Sequence, residues 1–241
     1  MDDAARTNMR AIHARGRAAG NNPNAFSKLG DSTFELPLFL GAFDGYTSTQ
    51  YALGNYAWLT DTIRAFAGSW GRPSIAVVRG LSAPGMFDPS WVNPALGCES
   101  TLGPLTCELN VHRPAFLLMR LGANDDGNAA RYAYFLRRAI TTTLSANVVP
   151  VLSTRADRSN DPDDAKNTIV RQLASEFKLP VWDFDALAAT LPERGLREDH
   201  VHLTYFFSND FRDPAAYASG AAMHNLSALL VMDELLRALV P

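Results

Sequence analysis

Short apolar runs, each cut off by turn residues and separated from the next by a stretch of helical period, constrain this chain more than any other feature. Four of them, residues 74–79, 115–121, 148–154 and 181–184, read as buried strands, and the less apolar 25–29 makes a fifth. Residues 56–67, 129–144, 165–177 and 215–239 carry apolar side chains at helical spacing. Residues 2–19, rich in Ala and Arg, form a further helix that ends at the stop signal Gly20-Asn21-Asn22-Pro23. Strand and helix alternate, so the pattern predicts an α/β chain with a five-stranded, mainly parallel sheet covered by helices on both faces.

The 241 residues contain no internal repeat and suit one domain spanning 1–241, with 1–24 as an N-terminal helix and linker. Residues 81–114 break the alternation, having scattered Pro and Gly and no clear helical period. Met86, Phe87 and Trp91 make that segment too apolar for disorder, so it is expected to be an ordered, irregular insertion near the site, over one edge of the sheet.

Charge excludes some functions. Lys plus Arg total 22 against 25 acidic residues, a net charge of −3 without a dense basic run, which argues against a nucleic-acid partner. The longest apolar stretches are too short to cross a bilayer. Cys98 and Cys107 stand nine residues apart, a separation a local disulfide closes in an oxidising compartment, and this inclines the reading toward an exported protein rather than a cytoplasmic one. As zinc ligands the two cysteines with His112 leave the set incomplete.

Three polar turns carry the chemistry. Gly30-Asp31-Ser32 follows the first strand, placing a serine at a strand's carboxyl end, where open α/β sheets form their ligand crevice; the competing reading makes Ser32 a helix N-cap. Gly122-Ala123-Asn124-Asp125 follows another strand, and Asn124 can either donate to an oxyanion or cap the helix that begins near Gly127. Asp199-His200-Val201-His202 supplies a carboxylate and an imidazole three residues apart. A serine hydroxyl needs a base and the base needs an orienting carboxylate, roles that fit His202 and Asp199. A metal pair of His200 and His202 lacks a third ligand with convincing spacing, and His13, His112 and His224 are read as surface histidines.

In that order, Gly30-Asp31-Ser32, Gly122-Ala123-Asn124 and Asp199-x-x-His202 resemble the first, third and fifth blocks of the SGNH (GDSL-like) hydrolases, and Arg79-Gly80-Leu81-Ser82 is similar to the remaining glycine block. The resemblance implies a flavodoxin-like three-layer α/β/α fold, a Ser32–His202–Asp199 triad and an oxyanion hole built from the amides of Ser32, Gly80 and Asn124. It also implies hydrolysis of an acetyl or acyl ester of a small molecule, glycan or lipid through an acyl-enzyme, without a cofactor or metal. Thr33-Phe34-Glu35 departs from what usually follows the family serine, the stretch from Tyr205 to Pro214 lengthens the path from His202 to the last helix, and no G-x-S-x-G elbow is present. Phe34, Trp91, Tyr205, Phe206 and Phe207, with Phe39, Phe43 and Tyr46, are read as candidates to wall the substrate cleft, the competing reading being that most of them are core. The competing functional class is a non-catalytic glycan-binding module that keeps the fold.

Overall fold

A computed structural model describes residues 1–45, 51–158, 160–206 and 208–240. Its sheet has four parallel strands in the order of the chain, β1 (Asn22–Gly30), β2 (Pro114–Arg120), β3 (Val149–Ser153) and β4 (Val181–Trp182). Every residue of β2 is buried, as a strand covered on both faces requires. Gly30 pairs with Arg120 and Ser153 with Trp182, so the carboxyl ends of the strands open on one edge.

Among the described residues there are seven α-helices: α1 (Asp3–Ala18), α2 (Thr60–Ala65), α3 (Pro104–His112), α4 (Ala129–Ser145), α5 (Ala165–Phe177), α6 (Phe184–Ala188) and α7 (Gly220–Leu239). α1 packs on β1, β2 and β3 and against α7, while α3 lies on β1, and α4 and α5 lie on β3. Helix and sheet together make the three-layer α/β/α arrangement that the alternation predicts. Helix starts follow local chemistry: Asp2, Asn128 and Ser219 cap α1, α4 and α7, and Asp161 accepts from the amides of Ala165 and Lys166 at the start of α5.

Two expectations are corrected. Among the described residues the sheet has four strands and not five, because residues 74–79 touch β1 through the single bridge Gly30–Val77. The segment is apolar enough for a strand, but side chains take ladder groups on both sides: Ser74 Oγ donates to the Lys28 carbonyl of β1, and the Ile75 amide donates to Glu108 Oε2 at 2.7 Å. The insertion 81–114 is also not irregular throughout, since it ends in α3, a helix begun by Pro104 at its first position and closed by Arg113 in the left-handed region. Cys107 of α3 is disulfide-bonded to Cys98, with the two Cα atoms 5.8 Å apart. No described helix is long and apolar enough to cross a membrane.

Candidate active site

Two of the polar turns leave the carboxyl ends of β1 and β2 side by side. At the end of β1, Gly30 is pinned on both sides of its peptide, its amide donating to Ala76 O at 3.0 Å and its carbonyl accepting from Val78 N at 3.1 Å. Asp31 then caps the following turn, accepting from the Thr33 amide at 3.0 Å and the Thr33 hydroxyl at 2.7 Å. The capping side chain is therefore that of Asp31, and Ser32 is free of that role and lines a cavity of about 460 Å³.

The turn after β2 is held by its carbonyls. Lys166, a buried side chain of α5, donates to Gly122 O at 3.0 Å and Asp125 O at 3.1 Å, and Asn160 Nδ2 donates to Ala123 O at 2.7 Å and Asp125 O at 2.8 Å. Gly122 itself stands at φ +124°, a conformation that favours glycine, and a β-carbon there would lie 3.2 Å from the Arg155 guanidinium. Asp125 accepts from the Ala83 amide at 2.9 and 3.1 Å, tying the insertion to this turn; burial pushes its carboxyl above the usual range. Asn128, not Asn124, caps α4, and Asn124 Nδ2 instead reaches Asp31 Oδ2 at 3.4 Å and Leu81 O at 3.3 Å. Asn124 thus looks back toward the serine turn and lines the same cavity, as does Gly80 at φ +80°.

The third turn is a tight hairpin in which Leu196 pairs with Leu203 and the Arg197 amide donates to His202 O at 2.8 Å. Asp199 Oδ1 accepts from the amides of Val201 and His202 at 3.0 and 2.9 Å, an Asx turn, and its Oδ2 lies 2.9 Å from His202 Nδ1. The His202 amide above all, then the Val201 amide and the imidazole, hold the Asp199 carboxyl far below the usual carboxylate range. With Nδ1 engaged, Nε2 is the nitrogen left for proton transfer. His202 and Ser32 line one cavity without a direct hydrogen bond between them among the described contacts; such bonds commonly tighten only when substrate is present.

The expected aromatic wall is mostly elsewhere. Phe34 is buried in the core, stacked 4.3 Å from Phe39, because the turn after Ser32 drives its ring under Gly30. Trp91 packs beside Gly85, Phe206 packs against the core, and Phe43 is buried among Tyr51 and Trp70. Tyr205 and Phe39 do line the cavity, while Tyr46 and Phe207 lie outside the described residues. Other lining residues were given no part in the site from sequence, among them Arg79, Arg197 and His224. Arg79 and Arg197 join the wall, Arg79 paired with Glu35 at 2.7 Å and Arg197 donating to the Tyr205 hydroxyl at 3.1 Å. His224, read from sequence as a surface residue, is only 2% exposed and also lines the cavity, its Nε2 2.7 Å from the buried Arg120.

No family model matches the sequence, and no curated protein matches it either. Solved structures do match. A catalytic mutant of Axe2, an acetylxylan esterase from Geobacillus stearothermophilus, aligns over 88% of this chain and 94% of its own at 14% identity and a TM-score of 0.54. TesA aligns over 88% and 99% at 16% identity and 0.53, and the psychrotrophic esterase EstA from Pseudoalteromonas sp., inhibited by monoethylphosphonate, over 89% and 99% at 14% identity and 0.51. The chain has the fold of the SGNH-type esterases.

Proposed function

We propose that this protein is a serine-dependent carboxylic-ester hydrolase acting through an acyl-enzyme. The observation that carries the reading is the convergence of Ser32, Gly80, Asn124 and His202 on one cavity, with Asp199 bound to His202 Nδ1. Ser32 Oγ attacks the ester carbonyl as His202 Nε2 takes its proton, and the protonated imidazole, steadied by the ionised Asp199, returns that proton to the leaving alcohol. The developing oxyanion is met by the amides of Ser32 and Gly80 and the side chain of Asn124, one such donor being worth about 3 kcal/mol in the transition state. Water then attacks the acyl-enzyme with the same base, and no step calls on a metal or cofactor. Structural neighbours that include an acetylxylan esterase support esters of small acyl groups as the first substrates to try.

The test is hydrolysis of p-nitrophenyl acetate, butyrate and octanoate by the wild type and by Ser32→Ala, with folding checked by circular dichroism. The wild type is expected to turn over and the folded variant to lose nearly all activity. Equal activity in the two would remove Ser32 from the mechanism, and a wild type inert on every ester would favour a binding module instead.

A further inference from the structure

We propose that His224 is a hydrogen-bond donor on the wall of the catalytic cavity, placed to bind an acceptor oxygen that the substrate carries a few atoms from its scissile ester bond. The inference rests on the hydrolase reading of that cavity and concerns the chemical class of its substrate.

The His224 ring is clamped on α7. Trp182 stacks on it at 4.7 Å, Phe39 lies 4.6 Å away at a tilt, and Phe184 meets it edge-on at 4.7 Å. Its Nε2 is 2.7 Å from Arg120 Nη1, and a guanidinium can only donate, so Nε2 must be the accepting nitrogen and the ring proton sits on Nδ1. Protonation of the ring would set a second buried cation against Arg120. Burial first, and then that arginine, keep the imidazole neutral well below the ordinary histidine range. Arg120 is itself fully enclosed at the end of β2, with Asp31 and Asp157 answering its charge.

That fixes one tautomer and leaves one N–H over. Among the described residues no group accepts from Nδ1, and Nδ1 is not one of the fully buried side-chain atoms that lack a partner, so this edge of the ring opens on the cavity that His224 lines. The cavity wall is mixed: Arg79, Arg197 and Tyr205 line it, and so do the apolar Leu38, Leu203 and Ala221, which are tied to the His224 stretch of α7. Ala221 lies one turn earlier on α7, its amide bond to Thr204 O brings Leu203 alongside, and Asn225 holds the Leu38 carbonyl at 2.9 Å. An oriented N–H beside these apolar groups is a liability for a plain alkyl ester, which would strip its water and offer nothing back. For an ester bearing an ether, hydroxyl or carbonyl oxygen at that point it is a recognition element, because a site built around one hydrogen bond discriminates against the analogue that lacks it. A purely structural Arg120–His224 pair gives no such discrimination.

Two isosteric pairs, each exchanging one methylene for oxygen, read this out: p-nitrophenyl butyrate with p-nitrophenyl methoxyacetate, and butyl acetate with 2-methoxyethyl acetate. The quantity is the ratio of kcat/KM for the oxygen ester over its isostere, compared between enzymes so that intrinsic reactivity cancels. The double variant Arg120→Met with His224→Leu, which removes the buried cation together with its acceptor, is expected to lower that ratio about tenfold or more in at least one pair. His224→Gln, which keeps both an acceptor for Arg120 and an N–H, is expected to retain most of it. Unchanged ratios in both pairs across folded variants overturn the proposal. A second measurement needs no change at position 224. In histidine-labelled Ser32→Ala protein, the nitrogen spectrum should show His224 protonated at Nδ1, with a resonance that moves on adding 2-methoxyethyl acetate and not on adding butyl acetate. A proton on Nε2, or equal response to both esters, overturns the proposal. An enzyme that turns over no ester sinks the hydrolase reading, while this spectrum still reports on His224 by itself.

Discussion

The two halves of the candidate site are built by opposite means. The serine and asparagine turns at the ends of β1 and β2 sit over a polar layer in which the buried Lys166, Asp125 and Asp31 and the half-buried Asn160 hold backbone groups contributed by several elements. The acid–base pair is carried by one exposed hairpin, with the His202 and Asp199 side chains 47% and 42% accessible and held by three contacts that all fall between residues 199 and 202. The first half is fixed by tertiary structure and the second by a local turn. Substitutions in the hairpin should therefore cost activity alone, whereas substitutions under the serine and asparagine turns should cost activity and stability together.

The sharpest separation comes from His202→Ala. It removes the base from a half-exposed hairpin, so kcat is expected to fall by roughly 10⁴-fold with the melting temperature unchanged, as activity assays and a thermal melt on one preparation would show. A drop in melting temperature comparable to that of a core substitution would break the contrast. Next in size is Lys166→Met, which keeps the aliphatic stem but withdraws the donor from Gly122 O and Asp125 O. Denaturant unfolding should show a loss of about 1–3 kcal/mol for the carbonyls left short of a partner, and kcat should fall as the Asn124 turn relaxes. Full activity in a destabilised Lys166→Met protein would mean that the turn does not depend on its scaffold.

The smallest effect concerns the far side of β1. Lys28 is buried with Nζ on Trp70 O at 2.8 Å, and burial pushes its amine from 10.5 down to about 7. Between pH 7 and about 10 the unfolded chain binds a proton that the folded chain does not, so stability should rise with pH across that window. From pH 7 to pH 9 the gain from this group is at most about 2.7 kcal/mol, and Lys28→Met should flatten that slope while leaving the pH dependence of ester hydrolysis alone. An unaltered slope in Lys28→Met would assign the pH dependence to other groups.

What was legible in the sequence follows the same divide. The three polar turns could be read because each is local: an apolar run ends, and the residues that carry chemistry come next in the chain. Asp199 and His202 need only a three-residue spacing to meet. Residues 74–79 misled because an apolar pattern reports burial and not pairing: the Ile75 amide goes to Glu108 and the Ser74 hydroxyl to Lys28 O, both far away in sequence. Helix α3 had a signal that went unused, Gly103-Pro104 standing as N-cap and first helical residue. His224 had no local signal at all, since its partner Arg120 is 104 residues away. The one clue was an arginine closing an otherwise apolar strand, a charge that had to be answered somewhere.

The most direct test of the account is covalent. Incubation with an activated p-nitrophenyl phosphonate, followed by peptide mass spectrometry, should place a single phosphonyl adduct on Ser32 in the wild type, with none formed in Ser32→Ala and far slower labelling in His202→Ala. An adduct on another residue, or a wild type that stays unlabelled while folded, would contradict the assignment of Ser32 as an activated nucleophile.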